Sequence, residues 1–309
     1  MPRRRKGEAV SGWICLDKPS DLGSTQAVGR VRRAFNARKA GHAGTLDPLA
    51  TGILPIALGE ATKTVSFLME ARKTYRFTIA WGVETASFDR EGAVTATSDA
   101  RPAAAAVGEA LKAFVGEIDQ VPPAFSAVKV GGARAYDLAR EGVALDLAAR
   151  KIVIHDARLV EAPDADHAIV EITCGKGTYV RALVRDLAAS LGARAHVSAL
   201  RRTRVGPFTE ARAIALESLE ALCHRGGPLE ALLPVETALD DIPELAVTTE
   251  DAFRLTQGRS IVLLPRQVET LKARLSASRM VSARHERKIV ALCEMRAGRL
   301  NPTRVFHLT

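Results

Sequence analysis

Between Tyr75 and Trp81 every second residue is large and apolar. Tyr75, Phe77, Ile79 and Trp81 alternate with Arg76, Thr78 and Ala80, the period of two that predicts a strand with one core-facing side. The same alternation puts Ala168, Val170, Ile172 and Cys174 on one face of a second strand, and Lys151 to Val160 and His196 to Val205 read as two more. Helical spacing appears elsewhere. Val28, Val31 and Phe35 share one side of a helix predicted from an N-cap at Ser24, with Arg30, Arg32 and Arg33 on its other sides. Val180, Leu183, Val184 and Leu187 form the buried stripe of a helix over Thr178 to Leu191, stopped by Gly192. An Ala-rich stretch from Pro102 to Val115 is a third helix. The segment from Val121 to Val130 carries two prolines before reading as strand, turns at Gly131-Gly132, and leads into one or two helical turns over Arg134 to Arg140. Strands and helices alternate irregularly with short connections, which predicts an α+β domain on a largely antiparallel sheet and not a doubly wound one.

Composition changes near Gly226-Gly227-Pro228, and Asp240-Asp241-Ile242-Pro243 reads as a boundary. Beyond it come a short helix over Thr249 to Thr256 ended by Gly258, a polar charged insert from Gln267 to Lys288, and two closing strands. Ile289, Ala291, Cys293 and Met295 share a face of the first of these. The predicted organisation is a basic tail over 1–11, a large domain over 12–240 and a small module over 241–309. So small a module is expected to lean on the larger domain or on a ligand.

Charge narrows the partners. The 309 residues carry a formal net charge of +9, which tilts the surface toward a polyanion, with nucleic acid the leading candidate. The start Pro2-Arg3-Arg4-Arg5-Lys6 is not followed by an apolar core, which argues against a signal peptide and reads as a solvated tail. No run approaches the roughly 18 apolar residues of a membrane helix. Cys15, Cys174, Cys223 and Cys293 are far apart and form no Cys-x-x-Cys pair, so neither a zinc site nor a disulfide framework is expected, and a cytoplasmic location fits.

One segment is dense in chemistry. From Gly41 to Lys63 the chain packs glycines, His42 and the step Asp47-Pro48 against a short apolar strand. Pro48 biases Asp47 toward extended backbone and removes the next amide donor, leaving a positioned short carboxylate. No Gly-Lys-Ser/Thr triplet opens a helix after it, so it is no Walker-type phosphate cradle. Taken alone, Asp47 is ordinary turn chemistry and His42 an ordinary structural histidine.

The segment from Gly41 to Lys63 closely resembles the catalytic motif of the TruB family of tRNA pseudouridine synthases. Other segments are similar to that family in the correct order: Leu16-Asp17-Lys18-Pro19, Lys73-Thr74-Tyr75-Arg76, Pro122 to Lys129 with Ala135-Tyr136, Gly175 to Arg181, and His196 to Arg202. The resemblance spans about residues 12 to 210. It implies that Asp47 is the catalytic aspartate, Tyr75 the active-site tyrosine and Arg181 the arginine that pairs with the aspartate. Tyr179 and Leu200 fall on substrate-pocket positions, His42 on a histidine that enters the RNA near the extruded target, and Lys18 in a further substrate-binding segment. The family's fold is an α+β sheet with an RNA-binding cleft, and its bacterial members add a small PUA-like β module. Two places depart from the pattern. Asp21-Leu22-Gly23-Ser24 stands where a Gly-x-Ser-Ser type turn is usual, and Ala86 stands for an aspartate in the loop Gly82 to Asp89.

The implied activity is the conversion of uridine 55 in the tRNA T-loop to pseudouridine, an isomerisation that needs no cofactor and no metal. A carboxylate can assist in three ways: attack at C1′, attack on the base, or abstraction of a ribose proton to give a glycal. The residues do not choose among them. A cation such as Arg181 beside Asp47 suits a nucleophile or base and is wrong for a general acid. Tyr75 offers an aromatic face and a phenol. Two other readings stay open, a non-catalytic RNA-binding or folding protein and a synthase subunit that works only with a guide RNA. The expected partner is the T-arm of tRNA and the expected state a monomer. The cations of the Ser24 helix and of the 130–150 excursion would contact phosphates irrespective of sequence. RNA affinity measured by filter binding should therefore fall by an order of magnitude or more over a several-fold rise in salt.

Overall fold

The computed structural model describes residues 7–308 apart from 127, 131–132, 136–137, 139–142, 144–145 and 276–278. The Gly131-Gly132 turn, Tyr136, the basic run Arg3 to Lys6 and most of the turns expected over Arg134 to Arg140 lie outside the described residues.

A ten-stranded mixed sheet forms the body. Its strands run Ile214–Ala215, Gly12–Lys18, Thr51–Leu58, Ala195–Val205, Lys73–Trp81, His167–Cys174, Arg150–Glu161 and Gly116–Gln120 across the path, with Ala40–His42 and Phe208–Thr209 attached at the side. Most pairs are antiparallel. The exceptions are Gly12–Lys18 with Ile214–Ala215 and Ala195–Val205 with Thr51–Leu58. The second parallel pair needs a glycine. Gly52 sits opposite Arg202 at φ +97°, and a Cβ there would lie 2.2 Å from the Arg202 carbonyl oxygen.

The α+β expectation therefore holds, and the strands read from alternation are present. Gly12–Lys18 shows why periodicity was silent about it. Ile14 and Leu16 face the core beneath the helices Ser24–Ala34 and Val180–Ser190, while Trp13 and Cys15 face a second core on the other side. A strand buried on both faces has no polar partner to alternate with. The basic tail is shorter than expected, because Glu8 pairs with Ala37, donating to the Asn36 carbonyl and accepting from Arg38. The strand expected after the two prolines of the Val121 to Val130 segment is reduced to Lys129–Val130.

The C-terminal module is a five-stranded sheet in the order Glu244–Ala246, Met280–His285, Lys288–Arg296, Arg299–Val305 and Ile261–Val262. The polar insert is a misreading. It holds the helix Pro265–Lys272 and the strand Met280–His285, which bury Leu271, Val281 and Ala283 among polar neighbours. The module does lean on the larger domain. Ile289, Leu292 and Phe306 join Trp13, Ile53, Leu68 and Phe208 in one continuous core. Polar clasps surround it: Lys63 Nζ donates to the Val305 carbonyl at 2.7 Å, Glu60 accepts from the His307 amide at 2.9 Å, and Arg304 lies over the Phe67 ring at 5.5 Å. Phe306 is 3% exposed. Truncating it to Ala should lower the unfolding free energy by about 3 kcal/mol in a single urea transition. Two separate transitions, only the smaller one shifted, would show that the module folds alone.

Candidate active site

The first turn of the helix Val180–Ser190 carries Arg181, which is 5% exposed. Its guanidinium is held from several sides. Nη2 lies 2.9 Å from Asp47 Oδ2 and donates to the Phe125 carbonyl at 2.9 Å, while Nη1 donates to the Ser87 carbonyl at 2.9 Å and lies 3.4 Å from Asp89 Oδ2. Asp89 is fully enclosed and receives the Ser87 hydroxyl at 2.6 Å and the Glu91 amide at 3.0 Å. The helix start is itself braced, because Gln120 exchanges two hydrogen bonds with the Tyr179 backbone.

Asp47 is the open end of this chain of charges, with its side chain 35% exposed. The loop that presents it is tied down residue by residue. Ser24 accepts from the Leu46 amide at 2.8 Å and donates to its carbonyl at 2.9 Å, Asp21 N donates to Pro48 O at 2.9 Å, and Ser20 donates to Leu49 O at 3.3 Å. Ser24 is thus not the expected N-cap. Its hydroxyl is spent on the Asp47 loop, Gly23 occupies the cap, and the Gln26 side chain accepts the Gly23 amide.

Asp47, Tyr75, Tyr179, Arg181 and Leu200 line one cavity of about 250 Å³, as the resemblance implied they would share a site. Burial raises the Tyr75 phenol above its ordinary range, so the ring enters any reaction neutral at pH 7. Tyr179 shifts the same way for the same reason. Lys18 and His42, also expected to bind substrate, do not line this cavity. Lys18 is fully buried, and its ammonium donates to the carbonyls of Pro19, Leu22 and Pro48 at 2.8, 2.8 and 3.1 Å. With three protons and three acceptors it shapes the loop and has nothing left for a substrate. His42 lies on the short strand Ala40–His42 opposite Ile56 and is not among the residues lining the cavity. Burial, then the charge of Arg202, lowers its pKa, so it is a neutral imidazole at pH 7.

Two functional side chains were missed. Asp89 lay in the loop noted for Ala86, and its signal was the acidic loop itself. Arg202 is 1% exposed on the central strand and donates to the carbonyls of Ile53, Gly44 and Thr45 at 2.8, 3.0 and 3.3 Å, with its guanidinium 6.0 Å from the Tyr75 ring centre. Nothing in its local pattern distinguishes it from an exposed strand arginine. Among the described residues no cluster of His, Cys, Asp and Glu is arranged to hold a metal ion.

The model of the TruB family pseudouridylate synthase N-terminal domain matches residues 32–180, and that of the tRNA pseudouridylate synthase B C-terminal domain matches 181–240. The chain belongs to the TruB family. Proteins named tRNA pseudouridine synthase B from Caulobacter vibrioides and Rhodospirillum rubrum are 69% and 48% identical to it, each over the whole of both chains. In a Cbf5–Nop10–Gar1 complex one chain superposes with a TM-score of 0.72 at 25% identity, covering 96% of this chain and 85% of that one. An H/ACA RNP bound to a substrate RNA containing 2′-deoxyuridine contains the same fold, with a TM-score of 0.73 at 22% identity over 100% and 92% of the two chains. The division between the two TruB family matches falls between Val180 and Arg181, so the ion pair with Asp47 joins them.

Arg181→Met leaves two carboxylates facing each other without their cation, one of them enclosed. It should lower the unfolding free energy by about 3–5 kcal/mol. Adding Asp89→Asn should recover part of that loss in the same denaturant titration, and equal losses in the single and double variants would dissociate Asp89 from the ion pair.

Proposed function

We propose that this chain isomerises uridine to pseudouridine at position 55 in the T-loop of tRNA, with Asp47 as the group that starts the reaction. Membership of the family supports the isomerisation in tRNA. The observation that carries the residue assignment is the buried Arg181, which aims Asp47 into a cavity walled by Tyr75, Tyr179 and Leu200. The N1–C1′ bond is cleaved, the base turns, and C5 is joined to C1′. Such a cavity takes one nucleotide and not a stacked pair, so the target uridine leaves its stack before it reacts. Arg181 fixes the orientation of the carboxylate, Tyr75 gives the base an aromatic face with a neutral phenol, and Tyr179 and Leu200 exclude water.

The exposed Arg32, Arg33, Arg38 and Lys39 lead directly into the motif strand and would hold the RNA backbone beside it. His42, neutral at pH 7 and close behind this run, would meet the bases around the extruded one. The C-terminal module is read as PUA-like, adding RNA affinity and no chemistry. The enzyme works alone as a monomer in the cytoplasm, and among the described residues no helix is long and apolar enough to cross a membrane. A guide-RNA subunit is the weaker reading, because full-length identity to proteins named tRNA pseudouridine synthase B reaches 69% and the likeness to a chain of the Cbf5–Nop10–Gar1 complex is 25%.

Purified protein given a bare T-arm hairpin should form pseudouridine without any other RNA. Asp47→Asn should bind that hairpin within a few-fold of the original affinity while losing a factor on the order of 10⁴ in turnover. A single-turnover rate above a tenth of the original would remove Asp47 from its role.

A further inference from the structure

Lys73 opens the strand Lys73–Trp81 two residues before Tyr75, so both side chains leave the same face of the sheet. It is 6% exposed and lines the cavity with Asp47 and Tyr75. Its Nζ donates to the Met69 carbonyl at the end of the helix Val65–Glu70. That bond uses one of three protons. No carboxylate among the described residues forms an ion pair with it, and Glu70 is taken by Lys176 at 2.7 Å. The groups packed around it are Arg202 from Ala195–Val205, Cys174 from His167–Cys174, Glu70 from the helix and Lys176 from the loop beyond Cys174. Two of those four are cations. An enclosed ammonium with spare protons and cationic neighbours is a poor structural element by itself and a good seat for an anion.

We propose that Lys73 is a further catalytic residue, whose ammonium faces the uracil and holds the negative charge the ring acquires as the N1–C1′ bond breaks. The inference rests on the functional reading above. When that bond breaks heterolytically its electron pair stays on N1, and the ring carries one negative charge spread over N1, O2 and O4. Lys73 donates a hydrogen bond to a ring oxygen and keeps its proton throughout. After the ring turns, the C5=C6 electrons form the C5–C1′ bond, the C5 proton leaves, and N1 takes one up, so that no atom or electron is gained. Arg181 does not serve here, because its Nη1 and Nη2 groups are committed to Asp47, Asp89 and two carbonyls. The arrangement stabilises charge where it develops and not in the resting substrate.

Burial, then the charge of Arg202, lowers the Lys73 pKa from its usual value to about 8, with Cys174 and Glu70 opposing and Lys176 adding a little. The amine loses its charge as pH rises past that value, so the rate should decline above about pH 8. The test is single-turnover pseudouridine formation on a saturating T-arm hairpin across pH, with affinity measured separately. Lys73→Met should lose on the order of 10²-fold in saturated rate, bind the hairpin within a few-fold, and show no decline tied to this group. Lys73→Arg, whose charge persists at all accessible pH, should recover part of the rate and also lose the decline. A well-folded Lys73→Met variant with a rate within a few-fold of the original overturns the proposal. So does a Lys73→Arg variant that keeps the original decline, an outcome readable even if the methionine variant fails to fold. Absence of pseudouridine from the unaltered protein in the same assay would instead sink the functional reading.

Discussion

A guanidinium almost closed to water needs acceptors for its N–H groups, and Arg181 finds four for its two terminal nitrogens on three separate stretches of chain. Asp47 comes from the motif loop, Ser87 and Asp89 from the acidic loop, and the Phe125 carbonyl from the segment after the two prolines. None of these loops has a core of its own. Each is fixed because leaving any of its acceptors away from Arg181 would strand a buried charge or a buried donor, at about 1–3 kcal/mol for a neutral group and more for a charged one. The site is therefore organised by one cation, and Asp47 is the only one of its two carboxylates that retains access to the cavity.

The same logic divides the cations of this basic chain into two populations. Arg181, Arg202 and Lys18 face inward and use backbone carbonyls to hold the loops around Asp47. Arg32, Arg33, Arg38 and Lys39 face outward on the approach to the motif. The net charge of +9 counts both, and only the second population is available to a polyanion. Removing Lys18 or Arg202 would be felt in loop geometry, whereas removing Arg32 would be felt in RNA affinity. Arginine suits the inward role at 202 because its planar fork reaches three carbonyls on two sides of the Gly44 turn at once.

What the sequence made legible follows from where polarity alternates. Lys73–Trp81 and His167–Cys174 alternate because each buries one face more deeply than the other, and both are read correctly. Gly12–Lys18 is sandwiched between two cores and has no alternation to read, while Met280–His285 buries Val281 and Ala283 between polar residues that make it look like an insert. At the site, the resemblance of several separate segments named Asp47, Tyr75, Tyr179, Arg181 and Leu200, and one cavity brings them together. Lys18 looked like a substrate contact and Ser24 like a helix cap because sequence shows that a donor exists and not where it is spent. Asp89 and Arg202 were obscure for the complementary reason: their partners lie far along the chain, and no local spacing encodes them.

The motif also has a far end. From the Asp47 loop it runs through Thr51–Leu58 across the middle of the sheet and finishes at Glu60 and Lys63, which clasp His307 and Val305 of the C-terminal module. Ile53 and Ala57 on that strand share a core with Phe306, while Leu54 and Ile56 face the core beneath the helices Ser24–Ala34 and Val180–Ser190. A close-packed strand between two cores transmits displacement because neither side has room to absorb it. The module is thus a buttress of the strand that carries the Asp47 loop. Its sequence distance from Asp47 disguises a short mechanical path, which begins at a carboxylate and ends at the seat of Phe306.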